Sequence, residues 1–155
     1  MKRIVCALMM ILTLSGCSGK INSFKINPQS LSTVFHAKID GSEYEGCLSF
    51  DSGTNMTVTI NYPDIISGVS VTFCADTVKT SVDNVEGTHS AGDFPPNFSF
   101  MCIYNALKTA VSGGEFKRNA DAAYEMTCEG VTLVADKNGN LTSASLENGF
   151  FIFGV

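Results

Sequence analysis

His36 and His89 are the only imidazoles in this 155-residue chain, and neither has a nucleophile or an acid at a spacing that implies a catalytic set. His89 and Ser90 lie in Gly87-Thr88-His89-Ser90-Ala91-Gly92, which is superficially like a nucleophile elbow, but Ser90 has Thr88 rather than Gly two positions before it. Glu43 and Glu45 share a strand face like a paired-carboxylate site; beside a hairpin they read as solvated charges. The turn from Asp136 to Asn140 lacks the Gly placement and the distal Glu of a calcium loop, so it reads as a plain hairpin. Cys47, Cys74, Cys102 and Cys128 are separated by 27, 28 and 26 residues, whereas zinc-binding pairs sit a few residues apart. No phosphate loop or dinucleotide fingerprint occurs. The expectation is a protein with no catalytic residues, no metal and no cofactor, and not an enzyme.

The one residue whose setting does imply chemistry is Cys17. Met1 is followed by Lys2 and Arg3, an apolar run from Ile4 to Leu14, and then Leu14-Ser15-Gly16-Cys17. The basic start and short apolar run have the form of a signal peptide, too short for the ~20 residues that cross a hydrocarbon core. The tetrad resembles the bacterial lipobox, in which the Cys thiol is diacylglyceryl-modified and cleavage makes that Cys the new N-terminus. Residues 1–16 are thus expected to be a lipoprotein signal peptide, and Cys17 a lipidated residue carrying palmitate-type acyl chains. Acylation would hold the chain at a membrane surface. Residues 17–32 read as lipidated Cys and polar tether, with Phe24 and Ile26 as candidates to pack at the domain edge, and residues 33–155 as the folded domain.

Composition agrees with export of one compact domain. Hydrophobic residues make up 45% of the chain and charged residues 16%, enough apolar material for a core. The formal charge is −5; losing Lys2 and Arg3 with the signal leaves 8 basic against 15 acidic residues and a net charge of −7. Nucleic acid is excluded as a non-specific partner, because phosphate binding needs a surplus of Lys and Arg. An anionic membrane surface would also repel the domain, so attachment must come from the lipid. Four cysteines outside the cytosol suit either disulfides or buried free thiols. The strand reading puts Cys47 and Cys74 on one sheet face and Cys102 and Cys128 in the interior. Asn55, Asn97 and Asn140 match glycosylation acceptors that a bacterial lipoprotein would usually leave bare.

These features must be positioned by an antiparallel sheet. Val34–Asp40, Tyr44–Phe50, Met56–Tyr62, Val69–Ala75 and Thr77–Val85 alternate apolar and polar residues between turn signals. Tyr44, Gly46, Leu48 and Phe50 share one face, as do Met56, Val58, Ile60 and Tyr62, giving a meander with one dry face. The more polar Thr77–Val85 reads as an edge, and Glu86–Pro96 as an exposed loop. Phe98 to Val111 follows a 3.6-residue rhythm, with Asn97 or Ser99 as N-cap and Gly113-Gly114 as the stop. Ala122–Glu129, Val131–Ala135, Leu141–Glu147 and Phe150–Val155 return to strand. The fold class expected is α+β, with the helix on the dry face of the sheet.

Phe35-His36-Ala37-Lys38-Ile39 leading to Tyr44-Glu45-Gly46, and Met56 to Tyr62 running into Pro63-Asp64-Ile65-Ile66-Ser67-Gly68-Val69, together resemble the small bacterial lipoproteins of the lipoprotein-carrier superfamily (LolA, LolB and LppX-like proteins). The C-terminal hairpin with Asp136 and Gly139, closing on Phe150 to Val155, is similar too. The resemblance spans most of Val34 to Val155. It implies a curved antiparallel half-barrel with helix on its concave face and an apolar cavity between that holds acyl chains. With Cys17 the chain looks like an anchored member. The soluble carrier's cavity arginine has no counterpart, Arg118 being the sole Arg after Arg3.

Eleven Phe, six Met and no Trp suit either a filled core or a greasy cavity, since neither Phe nor Met needs a hydrogen-bond partner when buried. The leading expectation is an exported lipoprotein on the outer face of the cell membrane, or on the outer membrane of a two-membrane cell, that binds or carries a lipid or other hydrophobic ligand between sheet and helix. Tyr44, Leu48, Phe50, Met56, Val58, Ile60, Val71, Phe73, Phe100, Ile103 and Leu107 would line that site. The rival is a structural lipoprotein with a filled core that presents a face to an envelope protein partner.

Overall fold

The computed structural model describes Phe24, Ile26, residues 31–51 and residues 54–154. The segment read as a signal peptide and Cys17 lie outside the described residues, as does the segment read as a tether up to residue 30 apart from Phe24 and Ile26. Eleven strands form one antiparallel sheet: β1 (Leu31–Ile39), β2 (Ser42–Asp51), β3 (Asn55–Tyr62), β4 (Ser70–Cys74), β5 (Thr77–Val82), β6 (Val85–Ser90), β7 (Lys117–Arg118), β8 (Tyr124–Cys128), β9 (Val131–Ala135), β10 (Leu141–Leu146) and β11 (Gly149–Phe153). Their spatial order is β6-β5-β4-β3-β2-β1-β11-β10-β9-β8-β7, so the chain's two meanders join where β1 pairs with β11. One α-helix, α1 (Ser99–Val111), connects them.

Tight turns set the registers. Asp40-Gly41, Asp83-Asn84 and Glu129-Gly130 each have positive φ at both positions, the backbone of a two-residue hairpin turn whose twist matches the flanking strands. The Asp136 turn is held differently. Asp136 Oδ1 accepts from the backbone N–H of Asn138 (2.8 Å) and Asn140 (2.9 Å), and Oδ2 from the Asn140 side chain (3.0 Å). The Asn140 N–H, ahead of the other donors, holds this carboxyl below its ordinary value of 3.8. A depressed carboxylate stabilises the fold fully above its unfolded value and loses that contribution as pH falls through the folded one. Protection of the Asn138 and Asn140 amides, measured as exchange relative to the intrinsic rate at each pH, is therefore expected to hold as pH falls to 3.8 and to be lost only in more acid solution; Asp136→Ala should remove this protection at every pH.

The sheet is curled around the helix. Tyr104 stacks on Phe73 of β4 with ring centroids 5.8 Å apart, and Cys128 Sγ of β8 lies 3.5 Å from Thr109 Oγ1. In a flat sheet β4 and β8 would stand about 34 Å apart, at about 4.8 Å for each of the strand spacings between them. Tyr104 and Thr109 are separated by only ~7.5 Å of rise on a helix ~10–12 Å wide. Both strands can touch one helix only if the sheet wraps it. The result is the open, curved α+β half-barrel with the helix on its concave face. Two edges, β6 and β7, stay unjoined.

Apolar alternation supplies the inner face. Phe35, Leu48, Met56, Val58, Phe73, Val78, Leu133 and Phe151 are buried from the sheet, and Ile103, Tyr104 and Leu107 from the helix. Gly46 lets β2 pass beneath Phe35, where a Cβ would collide with the Phe35 ring and the Thr59 carbonyl. Tyr104 is the one large core residue with a polar tip, and its hydroxyl donates to Thr54 O at 2.8 Å. Burial, with Cys74 and Asp76 adding, pushes its pKa up, so it remains a donor. Tyr104→Phe keeps the ring packing and strands the acceptor, which should cost about 1 kcal/mol in chemical denaturation.

Several boundaries differ from the sequence reading. Of Glu86–Pro96, read as a loop, the first part is strand: β6 pairs with β5 from Val82↔Val85 to Thr77↔Ser90, and a 3-10 turn follows at Ala91–Asp93. β6, not β5, is therefore the edge. Leu31 and Ser32 belong to β1 rather than to a tether, and Ile26 is buried in the core. Neither Asn97 nor Ser99 caps α1; the N-cap is Phe98, whose phenyl ring has no acceptor to offer the helix, and Ser99 Oγ is engaged with Asn148. Tyr62 faces outward, since a bulge pairs it with Glu45 while Ile60 pairs with Gly46, switching the face on which it lies. The short β7 has no counterpart in the sequence reading.

Candidate functional site

The helix does not cover the whole concave face. Where α1 begins, the sheet, the Pro95–Phe98 segment and the β10–β11 turn enclose an open cavity of about 470 Å³. Its walls are Ile39, Tyr44, Val58, Ile60, Ile66, Val69, Val71, Pro95, Phe98 and Phe100, with polar side chains confined to Asp40, Asn97, Ser99 and Asn148. The volume falls within the ~300–1,000 Å³ usual for small-molecule sites. Apolar walls give such a site affinity through the water they shed, while a few fixed polar groups orient the ligand.

Those polar groups are tied together. Ser99 Oγ donates to Asn148 Oδ1 at 3.3 Å, Asn148 Nδ2 donates to Asp40 Oδ2 at 3.1 Å, and the Asp40 N–H donates to Asn148 O at 2.9 Å. The chain thus pins the β1–β2 turn, the β10–β11 turn and the start of α1 into one polar rim. A 3-10 turn at Asp64–Ile66 forms another part of the mouth: Ile66 lines it and Ile65 is 91% exposed beside it.

Of the eleven residues expected to line a ligand site, the structure brings Tyr44, Val58, Ile60, Val71 and Phe100 into the cavity wall. Leu48, Phe50, Met56, Phe73, Ile103 and Leu107 are instead buried in the filled core where the helix lies directly on the sheet. Phe50 and Leu107 border only a void of about 20 Å³, shared with Ile26, Leu31, Val111, Gly139 and Leu141. Sequence reasoning missed Asp40, Asn97, Ser99 and Asn148, which are turn and cap residue types; Ile39 and Val69, at strand ends; Ile66, in the 3-10 turn; and Pro95 and Phe98, inside the segment read as loop and at the helix start. Val69, sharing a face with Val71 and Phe73, and Phe98, at the head of the helix's apolar rhythm, carried a signal.

A search of solved structures finds this architecture in other proteins. An uncharacterized conserved protein from Thermus thermophilus superposes over 81% of this chain and 76% of its own with a TM-score of 0.50 at 7% identity. A LolA superfamily protein from Nitrosomonas europaea matches over 84% of this chain and 86% of its own, with a TM-score of 0.44 at 10% identity. No family model and no curated protein matches the sequence. At such identities likeness concerns the fold.

The other sequence features take structural places. His36 Nδ1 lies 3.1 Å from Glu45 Oε1 on the outer face, both side chains about half exposed. His89 packs edge-on against Phe94 at 6.0 Å. Ser90 is occupied in the turn after β6, its Oγ accepting from Gly92 N–H while its own N–H donates to Asp93. All four described cysteines are free. Cys47 and Cys74 do share the outer face by register, but Cys102 and Cys128 are only partly buried, because each bonds a group at the helix margin: Pro96 O at 3.4 Å and Thr109 Oγ1 at 3.5 Å. Burial, then the nearby Glu129 charge, pushes the Cys102 thiol up, away from the reactive thiolate. No cluster of metal-binding side chains occurs among the described residues.

Proposed function

We propose that this protein is an exported lipoprotein, acylated at Cys17, that binds or carries one hydrophobic ligand such as an acyl chain in the cavity at the start of α1, and that it is not an enzyme. The observation that carries the reading is the cavity itself: about 470 Å³ of apolar-walled space in a domain whose core is otherwise filled. Its walls set it apart from the cleft of about 410 Å³ beside β7 and β8, which is lined by Glu115, Lys117 and Glu125 and so lacks the apolar surface that gives a hydrophobic ligand its affinity. The ordered Leu14-Ser15-Gly16-Cys17 signature supports anchoring, and an acidic domain agrees with attachment through lipid rather than charge. Expressed in a bacterium with lipoprotein processing, the wild-type chain is expected in the membrane fraction with an acylated N-terminal peptide by mass spectrometry. Cys17→Ser should move it to the soluble exported fraction. Recovery of both forms in the soluble fraction would reject the anchor.

One observation favours a second reading, a structural or protein-interaction lipoprotein of the envelope. On the outer face Val34, Phe150 and Ile152 are each more than 40% exposed on the neighbouring central strands β1 and β11. Such apolar surface suits a contact with another protein.

A further inference from the structure

The half-barrel has two unlike ends, and β1 and α1 both run from one to the other. At the first end Leu31 and, from the helix, Leu107 and Val111 close with Ile26 around a void of only about 20 Å³. At the second end Ile39, Asp40 and, from the helix, Phe98 and Phe100 border the open cavity. The eight steps from Leu31 to Ile39 make a separation of about 27 Å at ~3.4 Å per residue. The chain leading from Cys17 enters at the closed end. Ile26 is buried there, and Phe24 stacks on Tyr124, at the start of β8, with ring centroids 3.7 Å apart and meets Phe116 at 5.4 Å.

Resting on the lipoprotein reading above, we infer that the closed end faces the anchoring bilayer and the mouth of the cavity faces away from it, open to a donor that arrives through water. Phe24 and Ile26 fix where the tether leaves the domain. The six residues between Cys17 and Phe24 span at most ~25 Å even with every bond extended, and holding them so would cost conformational entropy that nothing in the contact returns. The low-energy arrangement keeps the hairpin around Lys137, which shares the closed end through Gly139, nearer the lipid than the Ile65 turn at the mouth.

The chain has no Trp, so a single introduced indole reports position directly. Lys137→Trp and Ile65→Trp, both at surface turns, would be expressed with their own leader in a lipoprotein-processing bacterium, and the processed chains reconstituted in phosphatidylcholine vesicles carrying a nitroxide on the lipid headgroup. Quenching is expected to be several-fold stronger at position 137 than at position 65. Equal quenching, or stronger quenching at position 65 with the chain still vesicle-bound, would overturn the orientation and leave the anchor intact. A chain that washes off the vesicles would overturn the lipoprotein reading and the orientation with it.

Discussion

Phe151→Ala is expected to lower the free energy of unfolding by about 3–5 kcal/mol. Phe151 is fully buried on β11 and meets Phe35 of β1 at 5.8 Å, Phe100 of α1 at 5.5 Å and Phe153 at 6.2 Å. It therefore sits where the two meanders join and where the helix lands on that seam. Truncation removes the transfer free energy of a whole ring and leaves a hole that three other aromatic rings, each fixed on its own backbone, cannot fill by small shifts. Against a total of about 5–15 kcal/mol for a domain of this kind, the loss is a large share of the margin. Urea denaturation should show a much lower midpoint with an unchanged slope. A change under about 1 kcal/mol would mean that the seam is not packed as described.

Val71→Trp is expected to weaken binding of a long-chain fatty-acid probe more than tenfold while leaving the fold intact. Val71 lies on β4, half-buried in the cavity wall opposite Val58, so an indole there enters empty space instead of a filled core. Excluding roughly 100 Å² of apolar ligand surface at about 25 cal/mol/Å² removes about 2.5 kcal/mol of binding free energy; a factor of ten corresponds to about 1.4 kcal/mol. Val34→Trp, on the exposed outer face, is the matched control and should leave affinity unchanged. Equal affinity of both variants and the parent protein would place the probe outside the cavity.

The sequence was informative wherever burial is periodic. Leu48, Phe50, Met56 and Val58 alternate with polar partners, and the structure buries all four; Phe100, Ile103, Tyr104 and Leu107 likewise form the buried stripe of α1. It was least informative where backbone geometry decides. Asp83-Asn84, where both residues take positive φ, was read as the interior of one strand from Thr77 to Val85, and the polar, glycine-containing β6 beyond it lacks the apolar alternation that marks a strand with a buried face. The outward turn of Tyr62 depends on one extra residue in β3, which periodicity cannot show.

The division between filled core and cavity was not legible for a related reason. Val58 and Leu48 have the same apolar character, lie opposite each other in neighbouring strands and are both fully buried; only the course of α1 across the sheet decides that Val58 borders the cavity while Leu48 lies in the filled core. The Ser99–Asn148–Asp40 bonds tie the start of α1 to the β10–β11 and β1–β2 turns, a long-range arrangement of residue types that otherwise look like ordinary caps and loops.

The central claim is that the cavity holds a hydrophobic ligand. Native mass spectrometry of residues 18–155, exported behind an ordinary cleavable signal, tests it most directly. The expected result is a protein carrying extra mass that organic solvent strips away, with the same site refilled by an added fatty acid at one molecule per chain. A bare protein that also fails to take up the fatty acid would contradict the claim and leave the exposed Val34, Phe150 and Ile152 surface as the feature to pursue.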